Sequence, residues 1–384
     1  MKHFLNIYMV LFLIDGTISL SGTVTRHLFG VQLSYFPQQL IAFVVVLMSL
    51  PMYIMMGCVR GLPKGVVLPM VLFTVWVSVF KALPLPIYLG LQNTITLASV
   101  FQLCLGIVLL LILRYRGQHK QWLYTASVVE KLSFRWKRLV GFMAINVILI
   151  LPLIGLYLGI SLRLGVSHFS RGFMRLDATG VTLEARTYLY EDKYIHLLPT
   201  AHIARPTFYN ELVDPLPNEH TVILPEGITD EKKILKDGIR LTKIAEKLGL
   251  ESQDNQVIVA KRPTAYCDVD VSDFSPGTID YLKTCVRVSK HLTDGKLDLA
   301  IQVMFSAPEP DLNVLWNDIL VLRNQRVIAC MTEQLKTYEH IAIPWGAAHM
   351  PGIERTLFEM GAKVVDQRDI RVWDWSSKYE TEGN

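Results

Sequence analysis

The chemically most suggestive stretch of this 384-residue chain is Ile-Ala-Ile-Pro-Trp-Gly-Ala-Ala-His-Met-Pro-Gly-Ile, residues 341–353. An apolar, strand-like run from Ile341 to Trp345 stops at Gly346. His349 follows, and Pro351 and Gly352 open a predicted helix. Residues 195–211 repeat the shape: an apolar run, Pro199, then Ala201-His202, and Pro206 at a helix start. Open α/β folds place their chemistry where a strand end turns into a helix, so two histidines at such corners point to one convergent site. The positive end of a helix disfavours imidazolium, so each histidine is expected to be neutral, as a metal ligand or a general base must be.

Three further sets of residues fit that site. Glu226 comes just after the strand-like run Thr221–Leu224, in Ile-Leu-Pro-Glu-Gly. Arg323 and Arg326, in Leu-Arg-Asn-Gln-Arg, lie one turn apart on a predicted helix and so share a face. Asp268 and Asp270 follow Tyr266-Cys267 and are weaker candidates. Two neutral imidazoles and a carboxylate, here His202, His349 and Glu226, are a common ligand set for a divalent metal that keeps a position open for water. Such a metal lowers the pKa of its water and polarises a carbonyl, and arginines steady an oxyanion or clamp a carboxylate. Each residue alone also has a structural explanation. Glu226 would cap a loop, the arginines would pair with Asp318 or Glu333, and Asp268, Asp270 and Asp273 would serve turns. His168, His196, His220, His291 and His340 lack the corner context and are read as structural.

The elements that position these residues divide the chain in two. Residues 1–162 are apolar and residues 163–384 have ordinary soluble composition. Five apolar runs predict membrane-spanning helices: Phe4 to Leu20, Leu40 to Met56, Val66 to Leu83, Ile95 to Leu113 and Leu139 to Ile160. The first also has features of a signal peptide, with Lys2 ahead of it and Ser19, Ser21 and Gly22 after it, although Asp15 interrupts it. Arg114, Arg116, Lys120, Lys131, Arg135, Lys137 and Arg138 crowd the loop before the fifth run, which makes that loop cytoplasmic. The soluble half then emerges on the far side, in a bacterial cell the periplasmic or outer side of the inner membrane. Asp15 is expected to face a neighbouring helix and Lys81 to reach out from a helix end. The net charge of +4, with no basic stripe, argues against nucleic acid as a partner.

In the soluble half, Val181–Tyr190 and Tyr194–Leu198 read as a hairpin around Glu191-Asp192-Lys193. Helices are expected after Pro206 and over Asp230–Leu248, Pro276–His291, Asp311–Glu333 and Pro351–Met360. Strands are expected at Thr221–Leu224, Gln256–Ala260, His340–Pro344 and Ile370–Trp375. This alternation predicts an α/β domain. Of the five cysteines, Cys267, Cys285 and Cys330 allow one disulfide and a spare thiol, with the pairing open.

Taken together, the motifs of the soluble half resemble the TraB/PrgY/GumN family and its animal relatives, the Tiki proteases. Gly346-Ala347-Ala348-His349 with Gly352 matches that family's Gly-Ala-x-His segment, Arg323-Asn324-Gln325-Arg326 its arginine helix, and Ile223-Leu224-Pro225-Glu226 its glutamate strand. Pro199-Thr200-Ala201-His202 matches its first histidine motif with proline in place of glycine, and Cys267-Asp268-Val269-Asp270 matches weakly. The likeness spans roughly residues 180–375 and implies a TraB/Tiki-like α/β domain. For some members it implies a metal-dependent, protease-like hydrolase using manganese or cobalt, less readily zinc. For others it implies shutdown of a peptide pheromone. Two functions follow as expectations. One is a membrane-anchored, metal-dependent hydrolase of peptide or protein substrates, with His202, Glu226 and His349 on the metal and Arg323 and Arg326 on the substrate. The other is a non-catalytic membrane protein that sequesters a peptide or signal.

Overall fold

A computed structural model describes residues 2–29, 36–60, 62, 64–116, 122–124, 133–235, 242–247, 249–253, 262–308 and 310–375. It divides into two compact units, Met1–Gly165 and Val166–Asn384.

The first unit is helical: α1 (Lys2–Phe29), α2 (Phe36–Cys58), α3 (Lys64–Ser78), α4 (Leu91–Arg116) and α5 (Trp136–Phe169), the last ending four residues past the division. Leu5, Tyr8, Met9 and Phe12 of α1 form a core with Met52, Val67, Met70 and Leu109. Among the described residues four helices, α1, α2, α4 and α5, are long and apolar enough to cross a membrane. Five were expected, and α3 is the correction. It has 15 residues, about 22 Å of rise against the roughly 30 Å of a hydrocarbon core. The apolar run continues to Leu83, but Lys81 and Ala82 both take φ of 51°, which ends the helical path before it reaches membrane length. Asp15 accepts a hydrogen bond from Gln102 Nε2 on α4 at 3.0 Å, and Lys81 is exposed beyond the end of α3, as the sequence suggested for both.

The second unit is a mixed sheet covered on both faces. Its strands are β1 (Met174–Leu176), β2 (Gly180–Tyr190), β3 (Lys193–Thr200), β4 (Thr221–Ile223), β5 (His340–Gly346) and β6 (Lys363–Asp374). Their order is β6-β2-β3-β5-β4, with β1 also pairing β2. β2 and β3 form the expected antiparallel hairpin, turned at Glu191 with φ of 52°. β3, β5 and β4 run parallel, with Thr200 opposite Gly346 and Ile223 opposite Ala342. Both faces of these strands are buried, so each reads as a nearly continuous apolar run. Ile195, Leu197, Val222, Ile341, Ile343 and Trp345 face one core, and Leu198, Ile223 and Ala342 face the other.

The helices that connect the parallel strands lie on opposite faces. α6 (Phe208–Val213) leads from β3 to β4 and buries Phe208, Tyr209, Leu212 and Val213 with Leu198. The long connection from β4 back to β5 carries α7 (Pro276–Thr293), α8 (Leu297–Ser306) and α9 (Arg323–Gln334), and α9 packs Val327 and Met331 on the other core. α10 (Met350–Glu359) follows β5. The chain therefore reverses across the sheet at β5, the kind of point where open sheets hold ligands beyond the strand ends. Of the helix expected over Asp230–Leu248, residues 236–241 and 248 lie outside the described residues. Residues 230–235 form turns in which the Asp230 carboxylate accepts from the amides of Ile234 and Leu235, and helix occurs at Thr242–Lys247. A side chain that binds the backbone locally competes with helix formation. The strand expected at Gln256–Ala260 lies outside the described residues.

Candidate functional site

Beyond the C-terminal ends of the three parallel strands, four side chains form a buried ionic cluster around Arg323. Its Nε donates to Asp268 Oδ1 at 2.9 Å and its Nη2 to Asp268 Oδ2 at 2.6 Å, a bidentate pair. Nη2 also donates to Glu226 Oε1 at 2.8 Å, and Nη1 donates to His349 Nε2 at 3.1 Å. The Arg323 side chain is 5% exposed and that of Asp268 1%, so the ions are held in a low-dielectric setting where an unpaired charge is very costly. Trp345 lies beneath them. Its ring is edge-on to His349 at 5.0 Å and 5.1 Å from the guanidinium carbon, and its Nε1 donates to Leu224 O at 2.9 Å.

Backbone geometry brings these groups together. Glu226 follows β4 and His349 follows β5, the neighbouring strand. Glu226 Oε2 accepts from the Gly346 amide at 2.6 Å, an approach open because a Cβ at Gly346 would sit 3.2 Å from that oxygen. Asp268 Oδ2 accepts from the Gly227 amide at 3.0 Å, tying the loop after β4 to the 268 segment. A disulfide between Cys267 and Cys330 links that segment to α9, which carries Arg323.

The protonation state of His349 follows from its neighbours. Arg323 can only donate, so Nε2 accepts, and Nδ1 then carries the proton and donates to Asn324 Oδ1 at 2.7 Å. Burial, the largest cause, lowers the His349 pKa to about 4. Glu226 and Asp268 pull the other way and are partly offset by Arg323 and His202, so burial decides the outcome. Burial pushes the Glu226 carboxyl up, but Arg323, His349 and the Gly346 amide together hold it below its ordinary value. Burial opposes the charge on Arg323, yet its hydrogen bonds to Asp268 and the charge of Glu226 raise its pKa. At neutral pH the site is therefore one guanidinium, two carboxylates and a neutral imidazole.

The expected residues separate into three groups. Glu226, Arg323 and His349 converge, and Asp268, the weaker candidate, is the closest partner of Arg323. His202 lies at the end of β3 with its side chain exposed, near enough to His349 to act on its titration but outside the hydrogen-bonded cluster. Two residues take no part. Asp270 caps the turn Val271–Asp273, accepting from Ser272 N and Oγ, Thr229 Oγ1 and Glu231 N, which holds its carboxyl far below the usual range. Arg326 is exposed. Residues three apart on a helix are offset by about 60°, so burying Arg323 at the edge of the packed face leaves Arg326 outside it.

The proposed metal ligands do not fit a metal in this arrangement. Among the described residues no three His, Cys, Asp or Glu side chains are grouped to hold one. Arg323 fills the space between Glu226, Asp268 and His349, and it occupies the lone pair of His349 Nε2 that a metal would use. Glu226 Oε1 is 3.6 Å from that nitrogen.

Two contributors went unread in the sequence. Asn324 accepts from His349 Nδ1 and sends its own Nδ2 to the His349 carbonyl at 3.3 Å. Gly352 leaves room for it, since a Cβ there would lie 2.3 Å from Asn324 Nδ2. The signal available was the pairing of Arg323-Asn324 with a glycine three residues after His349. Beside the cluster, the Thr200 hydroxyl at the end of β3 is buried with no hydrogen-bond partner among the described residues. Compared with known proteins, the chain matches no family, no curated protein and no solved structure.

Proposed function

We propose that this chain is a membrane-anchored binding protein, akin to the pheromone-sequestering members of the TraB/PrgY/GumN family, whose second unit holds a peptide or similar signal. One observation carries this reading: the hydrogen-bonding groups of Glu226, Asp268 and His349 that a metal or a reacting water would need are engaged by Arg323, Asn324 and backbone amides. Such a cluster fixes three loops in place rather than taking up a proton. Among the candidate residues at this end of the sheet, His202 beyond β3 is the side chain left exposed for a ligand. Two carboxylates against one guanidinium leave the cluster net negative, which favours a ligand with a cationic group such as a peptide amino end.

We place the second unit on the side away from the cytoplasm. Arg135, Lys137 and Arg138 stand at the start of α5 and set the direction of that last span by themselves, so the loss of α3 from the span count alters the N-terminal side and not this one. The Cys267–Cys330 disulfide agrees with an oxidising compartment. Reporter fusions after Phe169 test the side, and a cytoplasmic signal would overturn the placement.

A second reading, the metal-dependent hydrolase on manganese or cobalt, keeps one point in its favour: His202, Glu226 and His349 gather at one end of the sheet. It requires Arg323 to leave its place. The test uses purified full-length protein, unblocked and amino-blocked peptides, and manganese and cobalt titrations. Binding predicts that the unblocked peptide is retained and recovered intact, that His202→Ala weakens retention, and that neither metal binds stoichiometrically. Stoichiometric metal that is lost in His349→Ala, together with peptide cleavage, replaces this reading with the hydrolase.

A further inference from the structure

Between the Asp268 segment and α9, α8 carries an apolar face that no described residue covers. Leu297, Ile301, Met304 and Phe305 fall at i, i+4, i+7 and i+8, a single helical stripe. In a water-soluble helix that stripe packs inward. Here the four residues are 61%, 44%, 59% and 85% exposed, while Ala300 is buried where α8 packs on α7. On the short helix that follows (Leu312–Trp316), Leu312 and Trp316 are also 72% and 64% exposed. Between α7 and the segment after α8 lies a groove of about 580 Å³, lined by Tyr281, Val288, Leu292, Met304 and Pro308 among others. An apolar surface of this extent on a soluble unit marks an interaction site.

We propose that this face of α8 lies in the interface of the bilayer, so that the second unit is attached to the membrane at a second point. The inference rests on the reading that α1, α2, α4 and α5 span a membrane. Chain length argues for lipid as the occupant. α5 ends at Phe169 and β1 begins at Met174, and so short a connection reaches at most about 20 Å even fully extended. The second unit therefore stays at the bilayer surface and meets lipid at a concentration no free partner attains. Composition argues the same way. Leucine, isoleucine and methionine with Phe305 on one helical stripe are the pattern of helices that lie in the headgroup region. The end of α7, the turn after it and the start of α8 carry both signs, Lys290 and Lys296 with Asp294 and Asp298. Attachment is accordingly apolar and insensitive to salt.

The test places a nitroxide on the full chain reconstituted in phosphatidylcholine vesicles, at Phe305→Cys, at Lys336→Cys on α9, and at Leu153→Cys on the outer face of α5. Cys58, Cys104 and Cys285 are replaced by serine and the Cys267–Cys330 bridge is kept. Collision with oxygen reports lipid, and collision with a water-soluble nickel chelate reports water. The label at 305 is expected to behave like that at 153, open to oxygen and several-fold protected from nickel, in low and high salt alike. A 305 label as accessible to nickel as the 336 label, with 153 still in lipid, overturns the attachment and leaves the membrane reading intact. Spin–spin broadening at 305 that grows with the protein-to-lipid ratio overturns it in favour of a second copy of the chain. Water exposure at 153 removes the membrane reading and this inference with it.

Discussion

Two regions of the same three-stranded parallel core each bury a histidine, and they do so with different materials. Beyond the strand ends, His349 sits among a guanidinium and two carboxylates contributed by three loop and helix segments up to 97 residues apart. Near the strand starts, His196 on β3 takes only uncharged side-chain partners, one from each of the two strands beside it. Thr187 Oγ1 on β2 lies 3.0 Å from its Nδ1 and His340 Nδ1 on β5 lies 3.1 Å from its Nε2, with Tyr194 stacked on His340. Burial, the largest cause, with the nearness of His340 and Arg368, lowers the His196 pKa to about 4, as at His349. The same titration thus arises from two constructions. A neutral pair on adjacent strands asks only for sheet register. The ionic cluster needs every one of its loops in place, because a buried charge without its partner is expensive.

The largest expected effect breaks the comparison at the ionic end. Arg323→Met strands two buried carboxylates and should cost about 3–5 kcal/mol of stability in the second unit. His196→Gln at the neutral end should cost about 1 kcal/mol. Hydrogen exchange of the second unit in the full-length protein measures both, and equal losses would erase the distinction.

Acid sharpens it next. In the unfolded chain each histidine takes its proton near 6.5, while the folded values are about 4. The unfolded state therefore binds more protons between those limits. Stability is full above pH 6.5, declines as pH falls toward 4, and owes nothing more to these groups below that. A displacement of this size corresponds to about 3 kcal/mol for each histidine. Denaturation midpoints across this range should fall, and in His196→Gln they should fall about half as far. A slope unchanged by that substitution would remove His196 from the account. Below this window Glu226 adds its own loss, since its folded pKa lies beneath its ordinary value and its stabilisation disappears as it protonates.

Smaller effects probe single contacts. Gly352→Ala places a Cβ against Asn324 Nδ2 and should cost about 1–2 kcal/mol. It should also free Nδ1 of His349, visible as a shifted imidazole resonance. Smallest of all, His202→Ala at an exposed position should move stability by less than about 0.5 kcal/mol while weakening peptide retention. A large loss of stability there would assign His202 to the structure rather than to ligand.

Much of this arrangement was legible in the chain. The strand-to-helix corners, the β2–β3 hairpin and the positions of Glu226, Arg323 and His349 follow from patterns of a few residues. Asp268 looked weak because its segment has no regular structure, and its role depends on α9 lying against it. Asn324 resembles any polar residue early in a helix until Gly352 is seen to make room for it. Arg326 and the fifth span failed for local reasons, a 60° offset on a helix and two residues of positive φ after Ser78.

By itself the sequence determined the two halves, the apolar helices and the alternation of strand and helix, because hydrophobic period and turn chemistry act over a few residues. It also fixed which side chains stand at strand ends. Tertiary structure alone decided that Arg323 fills the centre of the cluster, that His202 stays outside it, and that the apolar stripe of α8 faces outward. Those outcomes depend on which distant segments pack together, and each buried charge took the partner that packing brought within reach.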